Sequence, residues 1–176
     1  MKNNSTRKMV MAGLMIALST VLSYVKVFRM PQGGSITAGA MVPIILFAIL
    51  YGLKDGFFAA CIYGVIQFML GGFVLHPASI ILDYVLGYGM MGLAGIFHTE
   101  TKDLKRALLG GLVGGFMRFV MLVLSGVIVW GSYAPEGMNV WRYSIGYNAT
   151  YMIPEIILTV VLIAIVYNKV FDTVNK

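Results

Sequence analysis

The sequence WGSYAPEGMNVWRYSIGYNATY, which runs from Trp130 to Tyr151, separates two long apolar segments and concentrates polar aromatic side chains between them. It contains two Trp, four Tyr and two Asn. Tyr143, Tyr147 and Tyr151 recur every four residues, so on a helix they would share one face. An aromatic belt at a membrane–water boundary would account for some of these residues, but less well for Asn148. The stretch therefore indicates an aromatic and polar cup at a membrane surface, suited to a small flat ligand.

The composition is that of an integral membrane protein. Of the 176 residues, 59% are hydrophobic and 11% are charged, whereas soluble domains are about 45–50% apolar and about 25% charged. A membrane-spanning helix needs about 20 residues, so six spans and their loops would use most of the chain. We therefore expect an all-α, polytopic membrane protein that forms a bundle of six transmembrane helices, with residues 1–176 as one domain.

The apolar segments give the positions of these spans, and the basic residues give their orientation. The spans are expected at residues 9–28, 36–53, 57–74, 78–97, 107–130 and 143–167. With the N-terminus inside, nine basic residues lie on the inner side and three on the outer side, and Lys and Arg favour the cytoplasm. The inner set is Lys2, Arg7, Lys8, Lys54, Lys102, Lys105, Arg106, Lys169 and Lys176, and the outer set is Lys26, Arg29 and Arg142. Both termini are therefore predicted to be cytoplasmic, and the cup to be on the outer side.

Asp83 and Trp130 are the leading candidates for ligand contact. Asp83 lies near the outer end of the fourth span, where a carboxylate is costly unless it faces the bundle interior or a cavity. It could accept a hydrogen bond from an amino-bearing or cationic ligand, or it could pair with Arg118. Trp130, at the outer end of the fifth span, could stack on an aromatic cation or could face lipid headgroups. Tyr84 adjoins Asp83 and could line the same pocket.

Arg118 and Glu155 are charged residues within the last two spans. We favour an ion pair between them, or a contact of Arg118 with a carbonyl cluster, over contact with the ligand. No phosphate-binding loop of the form GxxxxGK[ST] occurs, which excludes ATP hydrolysis by that route. Two isolated His and one Cys make a metal site improbable, so we predict no cofactor, no metal and no enzymatic activity.

The first span carries small residues along one side. Gly13 and Ala17 are four residues apart, beside Ala12, and this spacing lets another helix approach closely. The stripe could pack within the bundle or could form a docking face for a partner subunit.

Several stretches resemble one family, the thiamin-specific substrate-binding (S) components of energy-coupling-factor vitamin transporters. The stretches are MPQGGSIT (30–37), LDY (82–84) with GYG (87–89), SG (125–126), VWGSYA (129–134) and YSIGYN (143–148). The resemblance implies six helices, with the substrate bound near the outer face beneath the loop that follows the first span. It also implies a separate transmembrane coupling subunit and two ATPase subunits that drive transport.

Carried over by position, the resemblance implies roles for individual residues. Asp83 would hold the aminopyrimidine ring, with Tyr84 beside it, and Trp130 would stack on the thiazolium. Tyr143 and Asn148 would complete the pyrimidine side of the site. The loop from Pro31 to Ser35, with Gln32 and Gly33, would act as a lid. The small-residue stripe of Ala12, Gly13 and Ala17 resembles the family's docking face for the coupling subunit.

Two positions depart from the family pattern. Many members have a His at the ligand in the fifth span, where this chain has Leu122, and an Ala is usual at the position of Gly13. The loss of a polar ligand contact leaves open an S component for a related vitamin or pyrimidine precursor. A stand-alone proton-coupled carrier that uses Asp83 and Glu155 as a relay also remains open, as does an intramembrane enzyme.

Overall fold

The computed structural model describes residues 5–174 and consists mainly of helices, which confirms the predicted helical architecture. The described helices are α1 (Ser5–Tyr24), α2 (Met41–Tyr51), α3 (Leu53–Met69), α4 (Pro77–Phe97), α5 (Leu104–Ile128) and α6 (Val140–Val174). A short antiparallel hairpin of β1 (Lys26–Arg29) and β2 (Ser35–Thr37) connects α1 to α2. Lys2 and Lys176, which the orientation argument counted, lie outside the described residues.

Four of the described helices, α1, α4, α5 and α6, are long and apolar enough to cross a membrane by length and composition. Large apolar side chains on them are exposed, including Val21, Ile128 and Ile165. By contrast, α2 has 11 residues and is buried from Met41 to Leu50, so it forms the centre of the bundle. Apolar surface on the outside and a short apolar helix inside are consistent with a bundle surrounded by lipid.

The hairpin is a correction to the predicted all-α chain. We expected a helix as far as Phe28, but α1 ends at Tyr24 and the following residues pair with β2, for example Phe28 with Ile36. The segment before the turn contains Val25, Val27 and Phe28, and β-branched and aromatic residues favour strands. Gly33 and Gly34 then adopt φ of 92° and 88°, a backbone conformation that glycine provides without steric cost.

The second span also begins later than expected. Hydropathy placed its start at residue 36, but residues up to Thr37 belong to β2 and α2 starts at Met41. Glu155 of α6 accepts hydrogen bonds from the backbone N and the side-chain oxygen of Thr37, which holds this segment in the extended conformation. A hydropathy profile does not detect such a contact, because it reports apolarity and not the hydrogen-bonding partner.

Small residues of α5 bring its neighbours close. A Cβ added to Gly114 would lie 2.8 Å from the carbonyl oxygen of Met91 in α4, and one added to Gly111 would lie 2.7 Å from Cδ1 of Ile163 in α6. Both distances are shorter than normal van der Waals contact. Gly114 therefore requires glycine for α4 and α5 to pack at their present separation, whereas at Gly111 the end of the Ile163 side chain would have to shift. This close packing fixes α4, α5 and α6 relative to one another, and these three helices supply many residues of the site described below.

The end of the bundle opposite the hairpin is joined by charged contacts. Lys8 pairs with Asp55 at 2.6 Å, and Lys102 pairs with Asp172 at 2.7 Å. Arg7 donates a hydrogen bond to the carbonyl oxygen of Val174 at 2.7 Å. Helix α6 therefore continues well beyond the predicted end of its apolar segment at residue 167, because its last turns contact polar partners instead of lipid.

Candidate functional site

A cavity of about 330 Å³ lies at the hairpin end of the bundle. Its size falls in the range of about 300–1,000 Å³ that is typical of small-molecule sites. The hairpin, the C-terminal ends of α1, α3 and α5, and the N-terminal halves of α4 and α6 form its walls. The structure places all seven predicted ligand-binding residues in these walls, namely Gln32, Gly33, Asp83, Tyr84, Trp130, Tyr143 and Asn148.

Asp83 and Trp130 come from different helices and contact each other. The indole Nε1 of Trp130 donates a hydrogen bond to Oδ2 of Asp83 at 3.1 Å. Asp83 lies in a π-helical segment of α4, Ile80–Leu86, and such wide turns occur frequently at functional sites. Trp130 lies just beyond the C-terminus of α5, where the helix gives way to a short turn. The wall therefore presents a carboxylate and an indole side by side.

Phe73 is a site residue that the sequence analysis did not identify. Its ring stacks on Trp130 with a centroid distance of 5.4 Å and an interplanar angle of 20°. Its carbonyl oxygen accepts a hydrogen bond from the hydroxyl of Tyr84 at 3.1 Å. The pair Gly71–Gly72 just before it indicates an irregular loop, but no sequence signal shows that this loop turns back over Trp130.

Tyr147 ties the turn of the hairpin to α6. Its hydroxyl donates a hydrogen bond to the carbonyl oxygen of Gly33 at 2.8 Å and accepts one from the backbone N of Gln32 at 3.0 Å. Tyr143 and Tyr151 lie on either side of it on the same face, with ring centroids at 5.9 Å and 6.2 Å. The predicted tyrosine face therefore exists, and its middle member contacts the predicted lid.

Asn148 is buried, and its amide is held mainly by its own helix. Oδ1 accepts a hydrogen bond from the hydroxyl of Tyr151 at 2.6 Å, and Nδ2 donates to the carbonyl oxygen of Ser144 at 2.9 Å. Nδ2 also lies 3.4 Å from the carbonyl oxygen of Leu122 in α5. These contacts fix the orientation of the amide at the cavity wall.

The expected ion pair between Arg118 and Glu155 is wrong. Both oxygens of Glu155 are used by Thr37, whose backbone N donates at 2.7 Å and whose hydroxyl donates at 2.5 Å. The structure shows no ion pair of Arg118 with either Glu155 or Asp83 in the described part of the chain. Glu155 instead anchors the base of the hairpin to α6, because a buried carboxylate needs hydrogen-bond donors and the hairpin supplies them.

Arg118 lines the cavity from α5, below Leu122. Its guanidinium carbon lies 3.7 Å from the centroid of the Tyr88 ring, and Nη1 lies 3.7 Å from Sδ of Met91. The cavity wall therefore carries two carboxylates, Asp83 and Glu155, and three basic side chains, Lys26, Arg29 and Arg118.

The small-residue stripe of α1 lies away from the cavity. Gly13 and Ala17 are exposed and Ala12 is half-buried, and a Cβ added to Gly13 would meet no atom within 4 Å. The stripe is therefore not used for packing within the described bundle, apart from the partial burial of Ala12.

The chain is similar to known transport proteins. A family model described as "Thiamine transporter protein (Thia_YuaJ)" matches residues 9–175. The thiamine transporter ThiT of Bacillus subtilis (strain 168) is 31% identical over 173 residues, covering 91% of this chain and 90% of that protein. ThiT of Lacticaseibacillus paracasei is 30% identical over 139 residues, covering 71% of this chain and 69% of that protein.

A solved structure has the same fold. The structure of ThiT from Listeria monocytogenes superposes with a TM-score of 0.84 and covers 95% of this chain and 96% of its own. The two sequences are 23% identical over the superposed residues, so the architecture is shared although most side chains differ.

Proposed function

This chain belongs to the thiamine transporter protein family, and from this premise we propose that it binds thiamin with high affinity as the S component of an energy-coupling-factor importer. The family is one of transporters, so the chain is a transport protein and not an enzyme. Its place in that family and its four long apolar helices make it a multi-pass protein of the cell membrane.

The contact between Asp83 and Trp130 carries the proposal for the ligand. Thiamin joins an aminopyrimidine to a cationic thiazolium, so it needs a hydrogen-bond acceptor and an aromatic face near each other. Asp83 and Trp130 meet at 3.1 Å in the cavity wall and supply both. A cation over an indole face gains about 0.5–2 kcal/mol. We infer that Asp83, with Tyr84, holds the aminopyrimidine, and that Trp130 stacks on the thiazolium.

Helix α6 and the hairpin complete the proposed site. We infer that Tyr143 and Asn148 complete the pyrimidine side, and that Gln32 and Gly33 close over the ligand as part of the hairpin.

We further infer that six helices cross the membrane, that residues 1–176 form one domain, and that both termini are cytoplasmic. The described basic residues support this orientation. Lys26, Arg29 and Arg142 lie at the cavity end, whereas Arg7, Lys8, Lys54, Lys102, Lys105, Arg106 and Lys169 lie at the other end. Since Lys and Arg favour the cytoplasmic side, the cavity would open to the outside.

The same proposal requires partner subunits. The sequence lacks a phosphate-binding loop, so energy would come from two ATPase subunits through a transmembrane coupling subunit. The exposed Gly13 and Ala17 of α1, with Ala12, support docking there, because small residues let a partner helix approach closely.

A fluorescence titration of the purified, detergent-solubilised protein with thiamin tests the proposed ligand. We expect saturable quenching at nanomolar to micromolar thiamin, and quenching that is much reduced in Trp130→Phe, since Trp130 would stack on the ligand. The matched control is Trp141→Phe, because Trp141 is 50% exposed and does not line the cavity. This variant should keep the quenching. If thiamin causes no quenching and a pyrimidine precursor does, the protein would still be an S component, but thiamin would not be its substrate.

A further inference from the structure

Arg118 lines the cavity at the level of Tyr88, below Asp83. Along α4, Asp83 contacts Trp130, and the ring of Tyr88, between one and two helical turns further on, lies under the guanidinium of Arg118. Leu122, eight residues before Trp130 in the chain, lies beside Gly87 between these two levels. The cavity therefore has a carboxylate at its upper level and a guanidinium at its lower level, with an aliphatic side chain between them.

The guanidinium has more donors than the protein satisfies. An arginine side chain carries five N–H donors. Nη1 of Arg118 donates to the thioether of Met91 at 3.7 Å, which is a weak acceptor, and the side chain also interacts with the hydroxyl of Tyr88. Its Nε is buried and makes no hydrogen bond with the described chain. Since unsatisfied buried donors cost free energy, such a group needs an acceptor.

The two nearby carboxylates do not provide this acceptor. Glu155 accepts two hydrogen bonds from Thr37, and Asp83 accepts one from Trp130. Neither forms an ion pair with Arg118 in the part of the chain that the structure describes. The stacking on Tyr88 holds the guanidinium plane in place. The arginine is thus oriented by the protein and still able to donate.

We propose that Arg118 donates a hydrogen bond to a ring nitrogen of the ligand's aminopyrimidine. An aminopyrimidine offers a donor, its amino group, and acceptors, its ring nitrogens. Asp83 and Arg118 supply the complementary acceptor and donor at two levels of one cavity wall. This inference rests on the proposed function, because it assumes that the aminopyrimidine is held at Asp83.

The side chain of Leu122 leaves Arg118 as the polar group of this face of α5. Leu122 lines the cavity and has no donor or acceptor in its side chain. Arg118, four residues earlier on the same helix face, also lines the cavity and can donate. Arg118 is therefore a specificity-determining residue that distinguishes an aminopyrimidine from a ring without the nitrogen.

The test compares thiamin with its 1′-deaza and 3′-deaza analogues, each of which replaces one ring nitrogen by CH. Dissociation constants are measured for the unmodified protein, Arg118→Met and Arg118→Lys. Arg142→Met, an exposed arginine outside the cavity, is the matched control. Thermal unfolding in detergent reports whether each variant is folded.

We expect one deaza analogue to bind the unmodified protein about ten- to a hundredfold more weakly than thiamin, the range for a hydrogen bond from a charged donor. In Arg118→Met this difference should disappear, because the donor is gone, and in Arg142→Met it should persist. If Arg118→Met is unfolded, Arg118→Lys serves as the test. A lysine lacks the planar fork of the guanidinium, so the difference in affinity between thiamin and the deaza analogue should become smaller in this variant.

A purely structural arginine would change the affinities for thiamin and both analogues by the same factor, and that result would overturn the inference. So would equal binding of all three ligands by the unmodified protein. Either result leaves the proposed function intact, provided that thiamin still binds. Absence of thiamin binding to the unmodified protein would instead contradict the proposed function itself.

Discussion

At the scale of single residues, the site depends on the placement of one carboxylate. Asp83 projects from a wide π-helical turn of α4 and is held by the indole of Trp130. In Asp83→Asn, the side-chain oxygen can still accept the indole hydrogen bond, so the wall should keep its shape. The negative charge is lost, however, and with it the strongest attraction for a cationic, amino-bearing ligand.

We therefore expect Asp83→Asn to bind thiamin about ten- to a hundredfold more weakly, the range for hydrogen bonds to charged groups of about 1.5–3 kcal/mol. Isothermal calorimetry measures the affinity without relying on Trp130. Glu136→Gln, an exposed acid in the loop after α5, is the control and should bind normally. If Asp83→Asn binds as tightly as the unmodified protein, the carboxylate does not hold the ligand.

Residue-level prediction from the sequence succeeded where local features were sufficient. Asp83 was singled out because a carboxylate is rare in an apolar segment, and Trp130 because it ends one. Both line the cavity. Two other contacts depend on which loop meets which helix. Phe73 stacks on Trp130, and Glu155 accepts hydrogen bonds from Thr37 instead of pairing with Arg118. Neither spacing nor hydropathy carries that information.

At the scale of elements, the hairpin is attached to α6 at two points. At its base, Glu155 accepts two hydrogen bonds from Thr37. At its turn, the hydroxyl of Tyr147 bonds to Gln32 and Gly33. The base contact is buried and the turn contact is only partly buried, so we expect the turn to be the attachment that opens first.

Tyr147→Phe should loosen the turn without disturbing the base. It removes two hydrogen bonds of about 0.5–1.5 kcal/mol each, and we expect thiamin to be released about fivefold or more faster as a result. Stopped-flow fluorescence with Trp130 intact measures the release rate. Tyr51→Phe, at the opposite end of the bundle, should release thiamin at the normal rate. Unchanged release from Tyr147→Phe would show that this contact does not retain the ligand.

The elements themselves were predicted unevenly. Long apolar segments located the helices correctly, because burial in lipid or in the core requires apolar residues over their whole length. The hairpin was missed, since Val25, Val27 and Phe28 are as apolar as a helix end and their pairing with β2 is a tertiary contact. The same limitation applied to residues 36–40, which hydropathy assigned to a helix and Glu155 holds in an extended form.

At the scale of the whole molecule, the two ends of the bundle differ in chemistry. One end carries the cavity and its aromatic wall, and the other carries most of the basic residues and the contacts of α1 with α3 and α6. A stand-alone carrier would need a path through the bundle to the second end. The glycines of α5 instead bring α4 and α6 into close contact with α5 between the two ends. We therefore expect release of the ligand to need a partner that acts on the whole molecule.

The exposed small residues of α1 allow this requirement to be tested without disturbing the cavity. Gly13 has no atom within 4 Å of an added Cβ, so Gly13→Leu should fold normally and bind thiamin with unchanged affinity. The new side chain would, however, hold a partner helix away from α1. In proteoliposomes that contain the coupling subunit and both ATPases, we expect ATP-driven thiamin uptake to fall to background in Gly13→Leu.

The control for that experiment is Leu18→Phe, which adds bulk at an exposed position on another face of α1 and should transport normally. Normal uptake by Gly13→Leu would remove this part of α1 from the docking surface. The unmodified chain alone, under a pH gradient, should accumulate no thiamin. If it did, transport would need no partner, and the exposed stripe on α1 would be a lipid-facing surface, because nothing else would have to approach it.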